Sequence, residues 1–374
     1  MRKYLILILL FSCCQAFSQK LALFDYPERM SVVEKAGYFI YNNEYEKADS
    51  AILIVERILP GHPIVYMMRA LNIAWQEMPI RTTSEVFPAH YEALQKVIEA
   101  AEKLQEEADD HQEGVFFEMS ARGLLTEYYA REGNYLKALG EARRMYGLAR
   151  TGFDFVDENS EFLFSTGLYN YFREKYPERH PIYKPFMWIF KSGDIEKGLV
   201  QLDRATKIGK LIKIEAHLYL AYIYLRYENK SYKARHYLEN LVSEYPNNCY
   251  FKSKLIECMV SQNDYEQAMP LIMELRTKQD RYYVLCSEVY FGVYQEKYKK
   301  NNILAEQHYK RALEMSNQYE NKGLYYKSLC MLGMGKITEE RGNKSEAEDY
   351  YKEAVAIDDN DQVTKEAKQR LKEL

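Results

Sequence analysis

The strongest constraint on this chain is that it repeats itself. Near its end, Met334-Gly335-x-x-Thr338 is followed by Gly342-Asn343 and then by Ala347-x-x-x-Tyr351-x-x-Ala354. One step earlier stand Gly292, Asn301-Asn302 and Ala305-x-x-x-Tyr309-x-x-Ala312, and before those Leu255, Asn263-Asp264-Tyr265 and Ala268-x-x-x-Ile272. Weaker copies lie upstream: Ala234-x-x-x-Leu238 with Pro246, Gly133-Asn134-Tyr135 with Ala138, and Asn43-Glu44-Tyr45 with Ala48-x-x-x-Ile52 and Pro60. Each copy reads as a helix, a tight turn carrying Gly or Asn, a second helix opening on a small residue, and a break. Units of this size cannot hide their apolar faces alone, so they must stack in a row in which each covers the next. Apolar residues recur at three- and four-residue intervals from Met30 nearly to Leu371, strand-like alternation is scarce, and only 17 Gly and 10 Pro interrupt 374 residues. The pattern predicts an all-α protein.

The residue types have a physical reason. A small side chain lets two helix backbones approach closely, while an aromatic four residues later fills the gap one turn along. Gly or Asn at the turn tolerates left-handed backbone. The step from Ala234 to Ala268 is 34 residues and that from Ala268 to Ala305 is 37. With this Ala, aromatic and Pro spacing the chain resembles the tetratricopeptide repeat, a helix-turn-helix unit of about 34 residues. The two best copies end the chain, and the N-terminal ones lack the first-helix Trp. The resemblance implies an α-solenoid of about eight helix pairs that binds proteins or peptides, without catalysis or cofactor.

Two further pairs fit the row less regularly. One spans Ile64 to Met78 and His90 to Glu107, with Ala93, Val97 and Ala100 in second-helix register and a long connection containing Pro79 and Pro88. The other spans Glu161 to Tyr176 and Ile195 to Ile208, where Gly193-Asp194-Ile195 and Gly198 restore the register. Residues 176–192 form an aromatic and Pro-rich insertion inside that pair. Pro177, Pro181 and Pro185 preclude one continuous helix there, and Phe186, Met187, Trp188, Ile189 and Phe190 are too apolar to be left in water. Two readings stand: a short extra helix tucked against its own repeat, or a partner-binding surface carried by Tyr183, Phe186 and Trp188. The stretch Asp361 to Leu374 offers one apolar edge, Val363, Ala367 and Leu371, as a terminal cap requires.

The first residues, MRKYLILILLFSCCQAFSQK, place Arg2 and Lys3 before an apolar run and small residues Ala16 and Ser18 behind it. This reads as a secretory signal, residues 1–18, leaving 19–374 as the repeat domain of an exported protein, periplasmic or associated with a bacterial outer membrane. A second reading is a lipoprotein signal acylated at Cys13, although Phe11 is bulky where such signals prefer a small residue. No later stretch is long and apolar enough to span a bilayer. Losing residues 1–18 removes two basic groups and moves the formal charge from −4 to −6, which argues against nucleic acid as a partner. Beyond the signal only Cys249, Cys258, Cys286 and Cys330 remain, spaced as buried free thiols within helical patterns.

The seven His are scattered, with no HExxH, nucleophile elbow or phosphate loop, so no catalytic, metal or cofactor-binding residue is expected. Thirty-five Tyr are more than packing needs. Tyr45, Tyr135, Tyr265, Tyr309 and Tyr351 fall at repeat core positions. First helices of such stacks line the concave groove, and registering each on its Ala points Tyr41, Glu127, Arg131, Tyr222, Arg226, Tyr250, Glu257, Lys297 and Lys336 into it. The expected function is a non-catalytic scaffold holding a protein or extended peptide in that groove in the bacterial envelope. The alternatives are a carbohydrate or small-molecule receptor using the Tyr-rich surface, and an outer-membrane assembly lipoprotein.

Overall fold

The computed structural model describes residues 22–107, 112–357 and 361–374. The expected signal, Cys13 and the cleavage point lie outside these residues. Among the described residues there are seventeen α-helices and no strand. They form eight consecutive antiparallel pairs: α1 (Pro27–Tyr41) with α2 (Tyr45–Ile58), α3 (Pro63–Trp75) with α4 (Phe87–Glu107), α5 (Gln112–Arg131) with α6 (Tyr135–Phe155), and α7 (Phe162–Arg179) with α8 (Ile195–Ile208). Then come α9 (Lys213–Arg226) with α10 (Ser231–Glu244), α11 (Cys249–Ser261) with α12 (Tyr265–Arg276), α13 (Arg281–Lys297) with α14 (Asn302–Ser316), and α15 (Leu324–Glu340) with α16 (Lys344–Ile357). Helix α17 (Asp361–Glu373) packs on the last pair, burying Val363 and Ala367 against Tyr351 and Ala354. This is the expected all-α solenoid with its cap.

Six of the eight turns close on a residue in the left-handed region: Asn43, Gly133, Asn229, Asn263, Lys300 and Gly342. At Lys300 the adjacent Asn301 does other work, accepting from the Leu304 amide at 3.1 Å to cap α14. The two pairs without such a turn, α3–α4 and α7–α8, are those with long connections. The small residues that open second helices are buried throughout, Ala48, Ala234, Ala268, Ala305 and Ala347 at 0% exposure, as close helix approach demands. All four described cysteines are buried free thiols.

Three details depart from expectation. Helix α7 continues through Pro177 to Arg179, giving up the one bond that an amide at 177 would donate to the Arg173 carbonyl. Tyr135 is not a core residue: it is 40% exposed, and its ring meets Tyr183 edge-on at 5.6 Å. The insertion folds as a 3-10 helix, Pro181–Ile189, against its own repeat with no residue fully buried: Tyr183, Met187, Ile189 and Phe190 are half-covered, while Ile182 and Trp188 are left in water.

The row does not remain an open arc, because its beginning docks onto its middle. Asn248 accepts from the Phe251 amide to cap α11 and donates through Nδ2 to the Tyr41 carbonyl at 2.7 Å. The Asn247 amide donates to Asn42 Oδ1 at 3.0 Å. The Trp75 ring lies 5.9 Å from Tyr250 and 5.2 Å from Phe251. Further along, the Tyr283 hydroxyl and the Lys322 ammonium donate to the carbonyls of Met78 and Glu77, each at 3.0 Å. One apolar cluster therefore runs from Leu23 through the first pairs to Tyr245 and Phe251. This seam converts the concave face of the solenoid into a partly enclosed cavity.

Candidate functional site

The cavity has a volume of about 1700 Å³, larger than the roughly 300–1,000 Å³ of small-molecule pockets. Helices α1, α3, α5, α7 and α9, all first helices of their pairs, supply much of its wall, together with the ends of the insertion. Sixteen of the 35 Tyr line it. Its charged lining is ten Lys and Arg against five Glu and no Asp, opposite in sign to the chain as a whole. Net charge, the ground on which nucleic acid was set aside, therefore does not describe this surface.

Seven of the nine groove residues expected from sequence line this cavity: Tyr41, Glu127, Arg131, Tyr222, Arg226, Tyr250 and Glu257. Their situations differ. Tyr222 is 45% exposed, and Arg131, ion-paired to Glu127 one turn earlier, is open to water within the cavity. The Glu127 carboxylate also accepts from the Tyr219 hydroxyl. Glu257 is buried between Arg226 and Lys254. Burial alone would raise its carboxyl; the two cations offset this and hold it below the usual carboxylate range. The Arg226 guanidinium also lies 4.5 Å from the centre of the Tyr325 ring.

Tyr41 is no free groove residue. Only 4% exposed, it packs on Trp75 and donates its hydroxyl to Glu215 across the seam. Lys297 and Lys336 lie away from the cavity. Helix α17 folds over the concave face of the last pairs, where Lys336 meets Glu366 at 2.7 Å and Glu296 at 3.5 Å, and burial and the Lys336 charge lower the Lys297 ammonium. Of the insertion, Tyr183 and Phe186 reach the cavity, while Trp188 stands in solvent at 84% exposure.

Residues the sequence did not single out complete the wall. Glu215 is the most unusual: one carboxylate oxygen accepts from Tyr41 and the other is buried without a partner. Burial pushes its carboxyl up to about 7 from an ordinary 4.5. A carboxyl raised in the folded state contributes fully below about pH 4.5, and that contribution is lost as the pH rises through 7. The melting temperature of the wild type should therefore fall between pH 5 and pH 8 relative to Glu215→Gln, by on the order of 2 kcal/mol in stability. Parallel pH curves for the two proteins would contradict this.

A row of antiparallel helical hairpins wound around a Tyr-rich, basic cavity defines the chain as an α-solenoid scaffold. More particularly, residues 294–360, from the end of α13 past α16, match the family model described as tetratricopeptide repeat, and the hairpins before them continue the same row. No curated protein matches the sequence. Among solved structures it is similar to a human IFIT1 dimer with PPP-AAAA, at 15% identity and a TM-score of 0.43 over 84% of this chain and 69% of that one. It is also similar to yeast Tom70, at 12% identity and 0.30 over 92% and 95% of the two chains. The P58(IPK) TPR domain matches at 11% identity and 0.27 over 92% and 98%.

Proposed function

We propose that the protein is a non-catalytic scaffold that takes an extended, acidic segment of a partner protein into its cavity, and that it does so in the bacterial envelope, a reading that the signal-like pattern of its first residues supports. The observation carrying this reading is the lining of the cavity: Tyr rings with hydrogen-bonding tips interspersed among twice as many Lys and Arg as Glu. Tyr supplies large contact area at low entropic cost, Arg adds charged hydrogen bonds, and both are enriched at protein-binding surfaces. A cavity of about 1700 Å³ bounded by many helices suits a chain segment better than a compact small molecule.

Tyr222 and Arg131 are the residues to change, because both are accessible within the cavity and neither holds the seam. A photo-crosslinking amino acid at position 222 should attach to one linear segment of one protein in living cells, whereas the same label at the outward-facing Leu53, 51% exposed, should not. Affinity for that segment should fall about tenfold or more in Tyr222→Ala and in Arg131→Ala, with the melting temperature unchanged. Thermal stabilisation by oligosaccharides, or tight binding of a single-stranded oligonucleotide, with no peptide capture would replace this reading.

A further inference from the structure

The insertion presents a surface that neither the repeat nor the cavity explains. Its backbone is firmly held. The Arg173 guanidinium donates to the carbonyls of Met187 at 3.1 Å and Phe190 at 3.4 Å, and Phe190 packs on Tyr146 at 5.2 Å. Tyr183 is gripped between Tyr135 and Tyr176. With the segment fixed in this way, Ile182 (52% exposed) and Trp188 (84%) project outward, away from the cavity that Phe186 helps to line. Leu136, 81% exposed, lies beside Tyr135 on the adjoining helix start. From Arg179 to Gly193 the chain contains no acidic residue but includes the exposed Lys184 and Lys191. In a chain of net charge −4 this is a local cationic and aromatic stretch.

We propose that this segment docks the protein on an anionic lipid bilayer. Ile182 and Trp188 enter the boundary between headgroups and acyl chains, and Lys184 and Lys191 contact the lipid phosphates. Trp and other amphipathic rings concentrate at that boundary, and each nearby Lys adds attraction to an anionic leaflet. The shape favours lipid over protein: interface hot spots are commonly rings seated in a packed, desolvated pocket, whereas Trp188 stands free at the tip of a projecting turn. No helix among the described residues is long and apolar enough to cross a membrane, so the contact is peripheral and reversible.

The chain has two Trp, and Trp75 is buried in the seam, so membrane contact is read at Trp188. With vesicles containing phosphatidylglycerol brominated on its acyl chains, Trp emission should be quenched, and the quenching should be absent with neutral phosphatidylcholine vesicles of the same size. Vesicle affinity should fall about fivefold in Lys184→Ala and again in Lys191→Ala, and about tenfold in Trp188→Ala. All chains compared carry the same N terminus, so any contribution of that end cancels. Quenching that is missing with anionic vesicles overturns the proposal. So does equal flotation of wild type and Trp188→Ala, and so does a wild-type dimer that Trp188→Ala splits, which would make a second copy the occupant.

Discussion

Replacing Tyr309 by Ala is expected to lower stability by about 3–5 kcal/mol, among the largest losses any single change in this chain should produce. The ring is fully buried between two neighbouring first helices. It fills the space left by Gly292, where a Cβ would come within 2.7 Å of it, and by Gly333, where a Cβ would come within 2.3 Å. Its hydroxyl donates to Glu296 at 2.5 Å. Removing it therefore opens a cavity and takes the hydroxyl partner from one Glu296 oxygen, leaving that carboxylate only Lys336. The complementary change, Gly333→Ala, should cost about 1–3 kcal/mol by overpacking, because rigid backbone on one side and the ring on the other leave nowhere to yield. Apart from the seam contacts of Tyr283 and Lys322, the units around Tyr309 pack on their neighbours in the row, so amide exchange should accelerate first in α13 to α16. An unchanged denaturation midpoint for Tyr309→Ala would refute this account of the repeat core.

The second large effect is at the seam. Trp75, 6% exposed, packs its ring 5.2 Å from Tyr41 and 5.2 Å from Phe251, so it joins pairs far apart in sequence. Trp75→Ala should cost about 3–5 kcal/mol and, unlike Tyr309→Ala, should change the shape of the molecule. With its largest apolar bridge gone, the first two pairs are left with a few hydrogen bonds and the contacts of Tyr38 and Tyr41 with Tyr245, and X-ray scattering should record a larger radius of gyration. Trp75→Phe keeps most of the apolar contact and should leave the scattering curve near that of the wild type. If Trp75→Ala scatters identically as well, the seam is not what closes the cavity.

Much of the repeat was legible because its determinants are local. Ala305, Tyr309 and Ala312 lie one turn apart on a single helix, and Asn263 sits at a turn whose left-handed backbone it tolerates. Such spacings need no knowledge of the rest of the fold. Tyr135 was misread by the same logic, since it occupies the register of Tyr45 and Tyr265 but faces the insertion. Glu215 and Asn248 gave no local signal, because what defines each is a partner in the first hairpin, Tyr41.

From the sequence alone came the hairpin as the building unit, the number of hairpins, the small residues at their contacts, and the helix faces turned inward. All of these follow from periodicities of three to four residues and of about 34. Tertiary structure decided that the row closes on itself, that its interior is basic while the chain is acidic, that the last helix pairs with Lys336, and that Trp188 stands in water. The physical reason is that the twist between successive hairpins accumulates over the whole row. Which distant units meet, and which charges face one another across the cavity, is set by the sum of many small rotations, and no single spacing in the chain records that sum.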